Sequence, residues 1–360
     1  MLTERMDRVR ARMDELGVDV LLLSTGADLP WLTGYEALET ERLTMLVLPR
    51  DGDATLVVPR LEAARVQEQP DAFSIGAWDE TDDAIAVVAA LAGAPSSAAI
   101  GDHTWARFLL DLQRALPRTS FRKASEVTAA LRMVKDASEV DALRTAARAV
   151  DGIAGEMRSR PFTGRRETDV HRELVQRMLD AGHERANFAI VGSGPNGASP
   201  HHEAGSRVIE PGDVVVCDFG GSMRHYCSDI TRLFVAGEPS AEVRDTYAVL
   251  VAAQEEAVRS ARVGTTGEEV DAVARRIISN AGFGDRFIHR TGHGIGVETH
   301  EGPYIVAGNS TPLAPGNAFS IEPGIYLPGR FGLRLEDIVV ATAEGPERLN
   351  HAPRDLAVVE

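Results

Sequence analysis

Two neighbouring stretches, Val214-Val215-Val216-Cys217-Asp218-Phe219-Gly220-Gly221 and Tyr226-Cys227-Ser228-Asp229-Ile230-Thr231-Arg232-Leu233-Phe234, decide how this sequence is read. Both are apolar runs of strand length, and the few residues between them suit a hairpin. Asp218 and Asp229 are equidistant from the midpoint between Met223 and Arg224. A symmetric antiparallel register therefore sets them opposite one another on one face, within ~5 Å. Cys217 then points away from that face while Cys227 shares it with Asp229, which argues against a disulfide between them.

A second hairpin repeats the device. Phe319-Ser320-Ile321-Glu322-Pro323-Gly324-Ile325-Tyr326 is followed by Leu327-Pro328-Gly329-Arg330 and then by Gly332-Leu333-Arg334-Leu335-Glu336-Asp337-Ile338-Val339-Val340. Glu322 and Glu336 are symmetric about Gly329 and so face each other. A single acid in a strand usually marks a solvated face, but two opposed like-charged pairs in apolar strands call for another explanation. Like charges at that distance raise a pKa or require cations, and hard divalent ions prefer oxygen ligands. Asp337, of opposite parity to Glu336, is expected to point away from them.

Between the hairpins runs His289-Arg290-Thr291-Gly292-His293-Gly294-Ile295-Gly296-Val297-Glu298-Thr299-His300-Glu301. A lone histidine is more often structural than a ligand. Here His293 lies between glycines that permit close backbone approach, and an imidazole joining four carboxylates would complete a site for two metal ions. Gly192-Ser193-Gly194-Pro195-Asn196-Gly197 spells a dinucleotide-binding motif, but Pro195 and Pro200 flank the glycine that should open a helix. We read it as a loop presenting His201 and His202, with His202 expected to be simply exposed.

The whole chain has 360 residues, 44% hydrophobic and 26% charged, enough for two ordinary domains. Its 54 acidic against 38 basic residues repel phosphate backbones and anionic lipid, so neither nucleic acid nor membrane is expected as a partner. No apolar run approaches the ~20 residues of a membrane span. Leu2 to Leu16 reads as an amphipathic helix rather than a secretory signal, which points to the cytoplasm. Helical and strand signals then alternate (strands at Val20 to Leu23, Thr44 to Leu48, Thr55 to Val58 and Ala98 to Ile100, helices at Asp83 to Leu91 and Thr104 to Leu116), an α/β pattern. From Ala124 to Met157 two helices are expected, joined near Lys135 to Ser138 with Ser138 as a cap, and the domain boundary is placed there. Leu29-Pro30-Trp31-Leu32-Thr33-Gly34-Tyr35 reads as an apolar loop, either exposed to a second subunit or packed on its own domain.

The five-residue set resembles that of the pita-bread metallopeptidases, which comprise methionine aminopeptidases, aminopeptidase P and prolidase. Ile190-Val191-Gly192-Ser193-Gly194-Pro195-Asn196 with Pro200-His201, and Glu322-Pro323-Gly324-Ile325-Tyr326, are similar to the prolidase and aminopeptidase P branch. The resemblance implies a two-domain α/β (α+β) protein, with a creatinase-like amino-terminal domain over 1–134 and a pita-bread catalytic domain over 135–360. It implies Asp218 as ligand of one metal, Asp229 and Glu336 as bridging ligands, and His293 and Glu322 as ligands of the other. The ions expected are Mn²⁺, with Co²⁺ or Zn²⁺ as alternatives. Glu322 would also shuttle a proton, His201 and His300 would position substrate and stabilise the oxyanion, and Arg334 would bind substrate or balance charge. The implied activity is hydrolysis of Xaa-Pro dipeptides by a metal-bridging hydroxide, in a homodimer. An aminopeptidase acting on longer peptides, or a peptide-binding protein without catalysis, remain as alternatives.

Overall fold

The uninterrupted apolar run Val20–Leu23 is buried along its whole length and lies inside a six-stranded mixed sheet in the computed structural model, which describes residues 2–360. The strand order is Ser74–Trp78, Thr55–Pro59, Met45–Pro49, Val20–Leu23, Ser97–Ile100, Ser120–Lys123. Val20–Leu23 runs antiparallel to Met45–Pro49 and parallel to Ser97–Ile100. Helices Ala84–Ala92, capped by the Asp83 carboxylate, and Ala106–Ala115 bury Val88, Phe108 and Leu112 against Val20, Leu22 and Val57. The chain divides into two compact units, the first ending at Arg132 and the second spanning Met133–Glu360.

The segment read as an apolar loop is a short helix, Asp28–Thr33, and it is not exposed. Trp31 is 2% accessible and Tyr35 6%, with the Arg5 guanidinium donating to the Trp31 carbonyl at 3.0 Å. Of the two expectations, burial is correct, because an indole gains more by leaving water than by waiting for a partner.

In the second unit two pairs of helices back two sheets. Ala137–Met157 and Glu167–Asp180 pack Val150, Ile153, Leu174 and Met178 against Val191, Val215, Cys217 and Phe219 of a sheet ordered Ala357–Val359, Ile230–Ala236, Val214–Met223, Arg185–Ser193. Ala241–Ser260 and Gly267–Asn280 pack Leu250, Ala253, Val270 and Ile278 against Phe319, Ile321 and Val339 of a second sheet. That sheet is ordered Glu301–Ile305, Gly292–Gly294, Ala318–Ile321, Asp337–Thr342, Gly345–Arg348. Each fully buried aliphatic or aromatic side chain there contributes roughly 1.5–3 kcal/mol. The cap of Ala137–Met157 is Asp136 rather than Ser138: its carboxylate accepts from the Glu139 amide, Glu139 reaches back, and the Ser138 hydroxyl donates to Asp136. Cys217 and Cys227 are both buried and free.

Candidate active site

The first hairpin turns through Arg224 and His225, both with positive φ, 52° and 69°. The turn thus sits one residue later than symmetry about Met223/Arg224 required. Asp218 pairs with Thr231, not with Asp229. A slip of two residues leaves the face unchanged, because side chains alternate with period two, so both aspartates still point the same way. Asp229 itself lies in a break of the ladder between Tyr226–Cys227 and Ile230–Ala236. The second hairpin keeps the expected register. Gly324 pairs with Arg334 and Ile321 with Asp337, which places Glu322 across from Glu336 in the gap between.

His293 is inserted from Gly292–Gly294, where a Cβ on Gly292 would stand 1.8 Å from the Ser320 carbonyl oxygen and one on Gly294 2.1 Å from that of Gly302. Only glycine lets this strand come so close. The imidazole Nε2 lies 3.2 Å from Glu322 Oε1 and 3.9 Å from Asp229 Oδ2. One ligand atom from each of Asp229, His293 and Glu336 falls within 4.8 Å of the others, and all three residues are buried.

Asp218 Oδ1, Asp229 Oδ1 and Glu336 Oε1 are buried without a hydrogen-bond partner among the described residues. Orphaned carboxylate oxygens are costly unless a cation or proton satisfies them. Burial, followed by the charges of Glu336, Asp218 and Glu322, pushes the Asp229 carboxyl well above its ordinary range. Burial and the charges of Glu322 and Asp218 do the same to Glu336. Burial would raise Glu322 too, but the hydrogen bond and charge of His293 draw it down to about 2. An acid-rich pocket with one imidazole and three unsatisfied oxygens fits hard divalent ions.

Arg334 is 2% exposed and spent on the protein. Its Nη2 donates to Asp218 Oδ2 and, at 3.1 Å, to the Pro200 carbonyl; Nη1 donates to the Tyr326 hydroxyl at 2.8 Å and Nε to Thr231 Oγ1 at 3.3 Å. Every nitrogen has a protein acceptor, which favours charge balance over contact with substrate. Thr231 in turn donates to Glu336 Oε2 at 2.8 Å. Asp337 faces the opposite side, paired at 2.7 Å with Arg232 and accepting at 3.0 Å from Gln254.

The His300 ring lies against that of His293, centroids 3.9 Å apart and planes tilted by 49°, and partial burial, then the charges of His293 and Arg290, push it down to about 4. His201 is exposed on the loop after the short 3₁₀ turn Gly194–Ala198, and no α-helix follows the glycine motif. His202 departs from expectation: it is half-buried, with Nε2 2.8 Å from Glu167 Oε2. Sequence alone does not single out Glu167 and Thr231, since nothing in the spelling of a lone Glu or Thr marks the partner it will meet, and it marks Tyr326 only as the last residue of the Glu322–Tyr326 motif.

Residues 141–343 match the model of metallopeptidase family M24, and residues 5–134 that of the creatinase/prolidase N-terminal domain. The chain is 43% identical over 360 residues to the probable dipeptidase PepE of Mycobacterium tuberculosis, covering 99% of this chain and 96% of that protein. It is 32% identical over 359 residues to the Xaa-Pro dipeptidase of Pyrococcus horikoshii, covering 99% of both. The crystal structure of recombinant prolidase from Thermococcus sibiricus superposes with a TM-score of 0.93 at 36% identity, over 100% of this chain and 99% of that one.

Proposed function

Because the chain belongs to metallopeptidase family M24, with a creatinase/prolidase amino-terminal domain before the catalytic one, we propose that it is an Xaa-Pro dipeptidase. The observation that carries the reading is the trio of buried, unpartnered carboxylate oxygens on Asp218, Asp229 and Glu336 beside His293 and Glu322. Likeness over the full length of the dipeptidases above supports the choice of dipeptides over longer substrates.

Asp218, Asp229, His293, Glu322 and Glu336 would hold two divalent ions, which when bound supply an ionised water near neutral pH and a positive charge for the scissile carbonyl. Mn²⁺ is the ion we favour, since the donors are oxygens with a single imidazole. Glu322, held at 3.1 Å by the Ser320 hydroxyl, takes the proton of the attacking water and returns it to the proline nitrogen. That nitrogen carries no hydrogen in the substrate, so it must receive one to leave. His300, neutral at pH 7, donates its N–H to the carbonyl oxygen as negative charge develops there, and His201 orients the dipeptide from the loop. Arg334 holds Asp218 and balances the acids around it.

Domains at 1–134 and 135–360, a homodimer and a cytoplasmic location complete the proposed reading. No helix among the described residues is long and apolar enough to cross a membrane. An Xaa-Pro dipeptide assayed beside an Xaa-Pro-Yaa tripeptide, each with Mn²⁺, Co²⁺ and Zn²⁺, tests the proposal. Preference for the dipeptide supports it, preference for the tripeptide makes the chain an aminopeptidase, and binding of peptide without hydrolysis makes it a non-catalytic member.

A further inference from the structure

Glu167 is the first residue of helix Glu167–Asp180 and is completely buried, yet it contributes nothing to the set of residues around His293. Its carboxylate is instead the hub of the loop that leads to His201. Oε1 accepts from the Ser193 amide at 2.8 Å, the Ser193 hydroxyl at 2.7 Å and the Asn196 side-chain amide at 3.1 Å. Oε2 accepts from Asn196 at 3.2 Å, from His202 Nε2 at 2.8 Å and from the Gly205 amide at 3.1 Å. These donors come from both ends and the middle of a thirteen-residue segment, Ser193 to Gly205, so one buried charge fixes the whole loop. Burial alone would raise Glu167, but the donors hold it below its ordinary value as a carboxylate.

The other anchor of the loop comes from the site itself. Arg334 Nη2, while holding Asp218, donates to the Pro200 carbonyl at 3.1 Å. The loop also lies against the strand carrying Arg334 so closely that a Cβ on Gly332 would stand 1.8 Å from the Gly197 carbonyl oxygen. Pro200 is thus pinned by Arg334 and His202 by Glu167, and the residue between them, exposed and free of side-chain hydrogen bonds, is His201.

We infer that Glu167 is a positioning residue for the reaction: with Arg334 it forms a two-point clamp on Pro200 and His202 that aims His201 at the substrate. An exposed histidine on an unconstrained loop would sample many rotamers and backbone states, whereas pinning its two neighbours leaves essentially its own side-chain torsions. The inference rests on the role proposed above for His201, and it assigns to His202 an anchoring rather than a chemical part.

A double-mutant cycle of Glu167→Gln with His201→Ala, read with an Xaa-Pro dipeptide, tests the clamp. Glu167→Gln keeps size but turns one acceptor oxygen into a donor, and should lower kcat/KM roughly 10- to 100-fold, the range for partners that orient catalytic groups. In the His201→Ala background it should lower it no further. The milder His202→Ala should behave alike with a smaller loss, which keeps the test open if Glu167→Gln folds poorly. Bound metal per chain should stay unchanged in all these variants, and hydrogen exchange should quicken at the Ser193 and Gly205 amides in Glu167→Gln. A Glu167→Gln or His202→Ala effect that persists undiminished in the His201→Ala background overturns the clamp. His201→Ala with full activity would instead overturn the role given to His201, and unchanged exchange at Ser193 and Gly205 would then overturn the clamp by itself.

Discussion

The hairpin of Asp218 and Asp229 turns through Arg224 and His225, two non-glycine residues in the left-handed region, with the Arg224 amide held at 2.9 Å by Glu184. The hairpin of Glu322 and Glu336 turns through Pro328 and Gly329, where the Arg330 amide donates to the Leu327 carbonyl at 3.0 Å and Gly329 takes φ 75°. The first turn is strained and tied down from outside; the second is set by its own residues. Both nevertheless deliver two acids to one face, and the hairpins meet on both of their faces. On one side Asp229 and Glu336 approach His293, and on the other Arg232 pairs with Asp337. The period of the strand, more than its exact register, decides which acids share a site.

Removing one carboxylate from each hairpin should have the greatest consequence. Asp229→Asn and Glu336→Gln should each lower kcat/KM by roughly 10³-fold, about 4 kcal/mol of lost transition-state stabilisation, with the fold retained by circular dichroism. A large loss for one and none for the other would show that only one hairpin serves the site.

On the opposite side the outcome should reverse. Asp337→Asn leaves Arg232 buried without its counter-charge and should destabilise the protein by about 3 kcal/mol in urea unfolding, while folded enzyme keeps most of its kcat. Thr231→Val removes the hydroxyl that joins Glu336 to Arg334 and should lower kcat/KM roughly 10-fold or somewhat more, with little change in unfolding midpoint. If Thr231→Val instead mainly destabilises, the link between the hairpins is structural.

The two turns differ in how much of their geometry is written in the sequence. Pro328-Gly329 spells a turn with glycine where φ must be positive, so the register of Glu322 and Glu336 could be read directly. Arg224-His225 carries no such signal: neither is a glycine, and the carboxylate that accepts from both amides, Glu184, lies forty residues away, so the symmetric register is off by two. The pairing of Arg334 with Asp218 and of His202 with Glu167 was not legible at all, since partners so distant in sequence are chosen by packing. Trp31 shows the converse: composition offered exposure or burial, and the core decided. The smallest expected effect follows from the strained turn. Replacing Arg224-His225 by Asn-Gly should stabilise the protein by about 1 kcal/mol without changing kcat/KM.

The most direct test is to strip the protein of divalent metal with a chelator and follow hydrolysis of an Xaa-Pro dipeptide while ions are titrated back. Stripped protein should be inactive, and activity should return with Mn²⁺ as two ions bind per chain, but not in Asp229→Asn. Undiminished hydrolysis by the metal-free protein would contradict the assignment of Asp218, Asp229, His293, Glu322 and Glu336 as a metal centre.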